Sequence, residues 1–421
     1  MRTAIVCAFN ENAIWALSRH ASKHGELVER LVPHWDLVAD SAQTLASVLP
    51  KASALRAFAV RKQARVASMR LPEDRPISVL TEVVRVAGAR TRTPVTPFLG
   101  QYAWKAMFDH RAAAALEAAD LDVVIGMPGS CRSLFSRHSR PLKVFHAIDT
   151  HPRARNDALS RTYGARARGE AYSAVLTRRI EDELALADVV LAPSRLVIDG
   201  MVAHGVAPDK LVHCTYGVDL DRFAVGEPLL GTGERSRPRL IFVGQISLRK
   251  GVPLLLEAVR GLDVDLSLAG QVFDRSILKD LPNNVRLLGV LSPADLSRAY
   301  NDHDALVLPA VDDACSLVVA EAAASGLRIV TTTANGSAEL LPSHHLVIPP
   351  GDKDQLQQAL SSLEVLTQDD RRHYSRELRF GEFSRVRSWD SYADDVFAVL
   401  DERLRTRDAE RLDREDQSEE N

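Results

Sequence analysis

Glycines, cations and carboxylates follow several predicted strands in the second half of the chain. Gly244, Arg249 and Lys250 come after the strand predicted at 239–243, and Gly270 comes after the next strand. Ligands of open α/β sheets bind outside the carboxyl ends of the strands. A glycine turn lets a bulky anion approach the backbone, and the two cations add positive charge at a helix start that already favours anions. These segments predict an anion site at the sheet edge.

A second helix is predicted to begin near Ser316, where the amides from about Cys315 to Val318 would be free to bind another anion. Asp313 and Glu321 are eight residues apart. In a continuous helix this spacing places them ~80° apart around the axis and ~12 Å apart along it, too far for the close carboxylate pair of a protease or glycosidase. Two anion sites flanked by carboxylates instead suit a diphosphate with hydroxyl-bearing groups at both ends, as in a nucleotide sugar.

Strand and helix patterns alternate through both halves of the chain, which is typical of parallel sheets covered on both faces. We therefore predict an α/β protein with two doubly wound, Rossmann-like domains. Ser292 is predicted to cap one helix, and Gly326 is predicted to follow the end of another. The predicted strands are 3–9, 27–33, 121–129, 142–148, 187–194, 211–219, 239–243, 264–270, 285–291, 305–310, 327–333 and 345–351.

Changes in composition suggest the domain boundaries. A segment rich in Gly, Pro and charge has no periodicity and is predicted to be a linker. The predicted units are a first domain at 1–223 on the acceptor side, the linker at 224–238, a nucleotide-sugar-binding second domain at 239–385, a helix at 386–405 and a charged tail at 406–421.

Composition excludes several classes of protein. The 421 residues have a net charge of −3, which argues against a nucleic-acid-binding protein. The four cysteines are widely spaced, so neither a zinc ribbon nor a disulfide framework is expected. No apolar run approaches the ~20 residues of a membrane-spanning helix. We expect a cytoplasmic protein that could lie at the inner face of a membrane, with no metal and no cofactor. The oligomeric state stays open.

Two segments carry a family resemblance. "FVGQISLRKGVPLLLEAV" at 242–259 and the segment 300–340 resemble the donor half of the family-4 retaining glycosyltransferases with the GT-B fold. That family has an acidic residue, seven others and then Glu, which here reads Asp313 to Glu321. The resemblance is strongest over about 239–350. It implies two domains that face each other across a cleft, with the C-terminal helix crossing back to the first domain.

The resemblance also implies roles for individual residues. Lys250 would neutralise the donor diphosphate, and Glu321 would bind the ribose hydroxyls. Asp313 and the backbone at Ala314–Ser316 would hold the transferred sugar, while backbone groups near Leu291 would meet the base. The full set of nucleotide-sugar-binding candidates is Gln245, Arg249, Lys250, Gly270, Leu291, Ala314, Cys315, Ser316, Leu317 and Glu321.

Family members also carry a histidine near the reacting sugar, in a loop after a middle strand of the first domain. "VFHAIDTHPRARN" offers His146 and His151 as catalytic candidates beside Asp313, with His151 slightly preferred. At a helix start the pKa of the Cys315 thiol could be lowered, but this residue has no visible base partner.

This sequence departs from the family pattern at three places. Gln245 stands where the family often has Arg, and Arg249 could compensate. Ala314, Cys315 and Ser316 replace a glycine-containing tripeptide, and the loop "AFNENA" after the first strand has no glycine. The missing glycine leaves the contact of the first domain with the diphosphate open.

The resemblance implies a retaining, metal-independent hexosyltransferase. It would move a hexose from a UDP or GDP sugar to a saccharide or lipid-linked acceptor, in the synthesis of cell-surface polysaccharide or glycolipid. Two alternatives stay open. A nucleotide-sugar epimerase on the same scaffold would need an acid/base pair around a sugar carbon, for which no strong candidate exists. A non-catalytic subunit that binds a partner enzyme is favoured by the missing glycine.

Overall fold

The computed structural model describes residues 1–7, 12–32, 71–76, 102–226, 236–380 and 386–419, with side chains as far as 410. Within these ranges the chain forms two parallel sheets, one of seven strands and one of six. The sequence-predicted fold class, two doubly wound α/β domains, is confirmed. The segments 8–11 and 227–235, which carry part of "AFNENA" and most of the predicted linker, lie outside the described residues.

The first sheet has the strand order β3-β2-β1-β4-β5-β6-β7. Its strands are β1 (Thr3–Val6), β2 (Leu27–Val32), β3 (Asp74–Pro76), β4 (Val123–Gly126), β5 (Leu142–His146), β6 (Val189–Ala192) and β7 (Leu211–His213). Its helices are α1 (Asn12–Lys23), α2 (Trp104–Ala115), α3 (Arg132–Arg137), α4 (Pro152–Tyr163), α5 (Ala174–Leu186) and α6 (Arg195–Ala203). The central strands β1, β4 and β6 are buried along their whole length, because helices cover both faces of the sheet.

The second sheet repeats the pattern in the order β10-β9-β8-β11-β12-β13. Its strands are β8 (Arg239–Val243), β9 (Asp265–Ala269), β10 (Val285–Gly289), β11 (Ala305–Leu308), β12 (Arg328–Thr332) and β13 (Leu346–Ile348). Its helices are α7 (Val252–Ala258), α8 (Pro293–Asn301), α9 (Leu317–Ala324), α10 (Lys353–Ser361) and α11 (Gln368–Phe380). Ser292 caps α8 by accepting the amide of Asp295 at 3.2 Å, and Gly326 adopts a φ of 79° after α9. Both sequence predictions are therefore confirmed.

The last helix, α12 (Trp389–Glu419), returns to the first sheet. Tyr392, Val396, Phe397 and Leu400 are buried in a core shared with β1 and α1. The side chain of His20 on α1 lies 3.1 Å from Asp394. This helix starts three residues after the predicted boundary at 386 and continues through the charged segment predicted as a tail, since "RTRDAERLDRED" contains neither Gly nor Pro to end it.

A second crossing runs in the opposite direction. The helix α4 and the 3₁₀ helix that follows it, Gly164–Gly169, come from the first half of the chain. Leu159 and Ala167 are nevertheless buried in the core of the second sheet, together with residues such as Leu240 and Leu308. Among the described residues, each half of the chain thus contributes a helix to the domain formed mainly by the other half.

One predicted strand is shorter than expected, and one predicted segment lies mostly outside the described residues. The strand predicted at 211–219 ends at His213, and residues 214–219 are irregular apart from an isolated bridge between Gly217 and Arg387. Of the Arg-rich stretch 56–92, only 71–76 lie within the described residues. Every helix in the described ranges is too short or too polar to cross a bilayer.

Candidate functional site

The carboxyl edge of the second sheet is shaped by glycines. Gly244 and Gly270 follow β8 and β9 with φ values of 150° and 145°, a region that favours glycine. A Cβ on Gly270 would lie only 1.8 Å from the carbonyl oxygen of Gly244. Side chains are therefore excluded here, and the backbones of the two turns touch.

The loop after β8 brings Arg249 and Lys250 to the end of β11. Lys250 forms an ion pair with Asp313, and its Nζ lies 3.4 Å from the hydroxyl of Ser316. Arg249 donates through Nη1 to the carbonyl oxygen of Asp312 at 3.1 Å, and the same nitrogen lies 3.9 Å from Asp313 Oδ1. Both predicted cations thus face the acidic segment before α9.

The buried charges of this cluster stabilise one another. Burial alone would raise the pKa of Asp313, but Lys250 and Arg249 outweigh it and hold that pKa below its ordinary value. Burial lowers the pKa of Lys250, and Asp313 opposes that change. The Ser316 hydroxyl also donates to Asp313 Oδ2 at 2.5 Å. Asp313 is therefore an ionised carboxylate with three polar neighbours.

The segment before α9 touches the first domain. Ser194 donates its hydroxyl to the carbonyl oxygen of Ala314 at 2.7 Å, and Ser316 is the residue before the first turn of α9 at Leu317. Burial raises the pKa of the Cys315 thiol to about 12. The lowering that a helix start could cause does not occur for this pKa, because desolvation of the buried thiol dominates.

Glu321 lies on α9, past the end of the Asp313 loop. The Tyr300 hydroxyl lies 3.4 Å from Glu321 Oε2, and burial raises the pKa of Glu321 to about 7. Tyr300 itself is completely buried on α8. Sequence reasoning did not identify Tyr300 as a site residue, because in the sequence it is only one aromatic residue in an amphipathic helix.

In the part of the chain that the structure describes, the two candidate histidines contact residues other than Lys250 and Asp313. His146 ends β5 and bonds through Nε2 to the Tyr392 hydroxyl at 2.8 Å, which ties it to the returning C-terminal helix. His151 caps α4 by accepting the amide of Arg153, and its ring stacks on His204 with centroids 4.2 Å apart. Burial lowers the pKa of both histidines to about 4. The choice between them stays a prediction.

The loop between the two histidines does reach the second domain. Thr150 donates its hydroxyl to Asp312 Oδ1 at 2.6 Å. Farther along the chain, the carboxylate of Glu170 accepts the backbone amides of Leu248 and Arg249 at 2.6 and 2.9 Å. Sequence reasoning missed Thr150 and Glu170, since neither belongs to a motif.

Two other residues predicted to bind the nucleotide sugar lie outside the cluster of buried charges. Gln245 is exposed, and Leu291 packs its side chain against the core of the second sheet. The described residues contain no group of three His, Cys, Asp or Glu side chains arranged to hold a metal ion. Independence from a metal stays a prediction.

The two sheets, their order and the returning C-terminal helix define the GT-B fold. Residues 237–364, which make up most of the second domain, match the family model described as "Glycosyl transferases group 1". This match overlies the segment that carries Lys250, Asp313 and Glu321. The narrower assignment to family 4 stays a prediction.

Curated relatives share part of this chain. Sulfoquinovosyl transferase SQD2 of Arabidopsis thaliana is 29% identical over 198 residues, which cover 44% of this chain and 38% of that protein. A GDP-mannose-dependent alpha-mannosyltransferase of Mycobacterium tuberculosis is 29% identical over 173 residues, covering 40% of this chain and 45% of that one. The matched regions thus span less than half the length of these relatives.

Solved structures share the whole fold. Sucrose-phosphate synthase from Thermosynechococcus elongatus superposes with a TM-score of 0.62 at 14% identity, covering 96% of this chain and 100% of that one. Anabaena HepE in complex with UDP and glucose superposes with a TM-score of 0.61 at 13% identity and the same coverage. At these identities the likeness establishes the fold alone.

Proposed function

We propose that this protein is a glycosyltransferase that moves a hexose from a nucleotide diphosphate sugar to a saccharide or lipid-linked acceptor. The observation that carries the proposal is the cluster of Lys250, Asp313 and Ser316 at the carboxyl edge of the second sheet. It combines a cation, a carboxylate and a helix start at the place where such sheets bind ligands. The family match of the second domain supports the same class of reaction.

The proposed chemistry assigns each group a task. A diphosphate placed between Lys250 and the start of α9 would share the ammonium that now pairs with Asp313. The Asp313 carboxylate could then accept a hydroxyl hydrogen from the hexose. Negative charge develops on the leaving nucleoside diphosphate, where Lys250 and Arg249 would stabilise it. Glu321 would accept hydrogen bonds from the ribose.

Retention at the anomeric carbon is proposed from the resemblance to the retaining family. Metal independence is proposed because the cations of the chain can supply the countercharge of the leaving group. We expect EDTA to leave turnover unchanged, and proton NMR of the product to show the donor's anomeric configuration. A loss of turnover that Mg²⁺ or Mn²⁺ restores would contradict the first expectation, and an inverted product the second.

A donor screen tests the function. GDP-mannose is the first donor to try, because the mycobacterial relative is named for it, followed by UDP-hexoses. Released nucleotide gives the rate, and calorimetry gives the affinity for UDP and GDP. We expect Lys250→Ala to lower kcat/KM about 100-fold or more. The exposed Lys279 of the same domain offers Lys279→Ala as a matched control.

Three outcomes separate the alternatives. If the wild type neither binds UDP or GDP nor consumes any donor, the proposal is wrong. Binding without turnover would favour the non-catalytic subunit, and a changed hexose on an intact nucleotide would favour the epimerase.

A further inference from the structure

The loop after β5 carries a carboxylate that no predicted role uses. Asp149 precedes Thr150, whose hydroxyl bonds to Asp312 across the domain boundary. The side chain of Asp149 is 25% exposed, so it remains reachable from solvent. Asp149 also interacts electrostatically with Arg249 and Lys250 of the second domain. Because Thr150 bonds to the residue before Asp313, the loop that carries Asp149 reaches the segment of the Lys250–Asp313 pair.

The surroundings of Asp149 hold it in one orientation. The Tyr172 hydroxyl donates to Asp149 Oδ2 at 2.6 Å, and Arg155 Nη1 lies 3.5 Å from Oδ1. The guanidinium of Arg155 lies over the Tyr172 ring, 4.3 Å from its centroid. Burial would raise the pKa of Asp149, but Arg155, Arg249 and Tyr172 together hold it below its ordinary value. Asp149 is thus a fixed, ionised hydrogen-bond acceptor.

Two polar side-chain atoms around this loop lack a hydrogen-bond partner among the described residues. Arg155 Nε and Asp312 Oδ2 are buried and have no hydrogen-bond partner among the residues that the structure describes. Both side chains adjoin the same loop, because Arg155 approaches Asp149 and Asp312 accepts the hydroxyl of Thr150. One unused atom is a donor and the other an acceptor. A hydroxyl group both donates and accepts, and so could satisfy such a pair.

Resting on the proposed function, we propose that Asp149, Arg155 and Asp312 form a subsite for hydroxyl groups of a pyranose beside the reacting carbon. Asp149 accepts a hydroxyl hydrogen, while Arg155 Nε and Asp312 Oδ2 bind a second hydroxyl. The pyranose is the hexose of the donor or the acceptor sugar, which present the same chemistry.

The variant Asp149→Asn tests the subsite, because it removes the charge and keeps the size. The matched control is Asp157→Asn, an exposed residue on the neighbouring helix α4. Using the whole 421-residue chain, we would measure hydrolysis of GDP-mannose and UDP-glucose without acceptor, transfer with acceptor, and calorimetric binding of UDP and GDP. Thermal unfolding shows whether each variant folds.

We expect Asp149→Asn to lower kcat/KM for the donor about 100-fold, as for a lost charge-assisted bond in a preorganised site. The Kd for UDP or GDP should not rise, because the free nucleotide carries no hexose and loss of a negative charge beside Arg249 and Lys250 does not weaken their attraction for a diphosphate. Loss of both hydrolysis and transfer assigns the subsite to the donor hexose. Loss of transfer alone, with a raised KM for the acceptor, assigns it to the acceptor sugar.

Unchanged kinetics in Asp149→Asn would overturn the subsite, as would a parallel loss of UDP and GDP affinity, which would indicate a structural role. If Asp149→Asn does not fold, Tyr172→Phe removes only the anchoring hydroxyl and should lower kcat/KM about 5- to 10-fold; no change there would also overturn it. Wild-type protein that binds neither nucleotide refutes the proposed function itself, a result distinct from loss of the subsite alone.

Discussion

Replacing Glu321 by Gln should stabilise the protein at alkaline pH while weakening nucleotide binding. Burial raises the pKa of Glu321 from 4.5 to about 7, so the folded state binds this proton more tightly than the unfolded chain does. Folding is therefore favoured where the carboxyl group is protonated. Stability falls as the pH rises from about 4.5 to about 7, and the full cost remains above that range.

The pKa change sets the size of the effect. Each tenfold shift in a protonation equilibrium corresponds to about 1.36 kcal/mol, so the change from 4.5 to about 7 corresponds to about 3 kcal/mol. Glu321 keeps some exposure to solvent, which makes this value an upper limit. A glutamine carries no charge at any pH and does not contribute this cost.

Urea unfolding at pH 5 and pH 8.5 measures the difference, with hydrogen exchange of peptides from α9 reporting on the second domain alone. At about pH 5 the variant and the wild type should differ by no more than about 1 kcal/mol from this source, and the advantage of Glu321→Gln should grow by about 2 kcal/mol at the higher pH. The exposed Glu364 offers Glu364→Gln as the control. A difference that stays constant with pH would refute the reasoning.

Three other predictions follow from one close backbone contact and two sets of hydrogen bonds. Gly251→Ala should unfold the loop or abolish nucleotide binding, because its Cβ would lie 1.8 Å from a carbonyl oxygen, whereas Gly261→Ala has the same sign of φ with open space around it and should cost about 1 kcal/mol by thermal unfolding. Glu170→Ala removes the carboxylate that accepts the backbone amides of Leu248 and Arg249, and it should lower the unfolding free energy by about 1–3 kcal/mol. It should also enlarge the radius of gyration in X-ray scattering, and unchanged scattering and stability would contradict this prediction. Tyr392→Phe removes the hydrogen-bond partner of His146 and should lower the unfolding free energy by about 1 kcal/mol without changing the calorimetric affinity for UDP or GDP. A parallel loss of affinity would contradict a purely structural role for this hydrogen bond.

The sequence predicted the second domain better than the first. Its strands are short runs of Val, Ile and Leu between glycines, and the facing of Lys250 toward Asp313 follows from the rule that ligand-binding residues gather at the carboxyl edge of a parallel sheet. The positions of the charged residues relative to one another along that edge were harder to predict from the sequence. The spacing of Asp313 and Glu321 was interpreted with a continuous helix, but α9 begins only at Leu317.

The first domain's share of the site could not be predicted because it depends on tertiary contacts. His146 and His151 suit chemistry by residue type, yet one bonds to a tyrosine nearly 250 residues later and the other stacks on a neighbouring histidine. Thr150, which lies between the two histidines in sequence and follows Asp149, bonds to Asp312 of the opposite domain. No local pattern distinguishes these four positions in a single sequence.

The exchange of segments between the two sheets affects how this protein could be divided. A fragment spanning 239–385 would lack Leu159 and Ala167, which fill part of its hydrophobic interior, and the first 223 residues alone would lack the tyrosine, valine and leucine side chains of α12. Each separately expressed half would expose apolar surface and tend to aggregate. Mixing the first 223 residues with a fragment that runs from 239 through α12 should restore solubility, because each then supplies the helix that the other is missing. A recombinant that joins either domain to a foreign domain would likewise have to include the helix that packs into it from the other half of the chain.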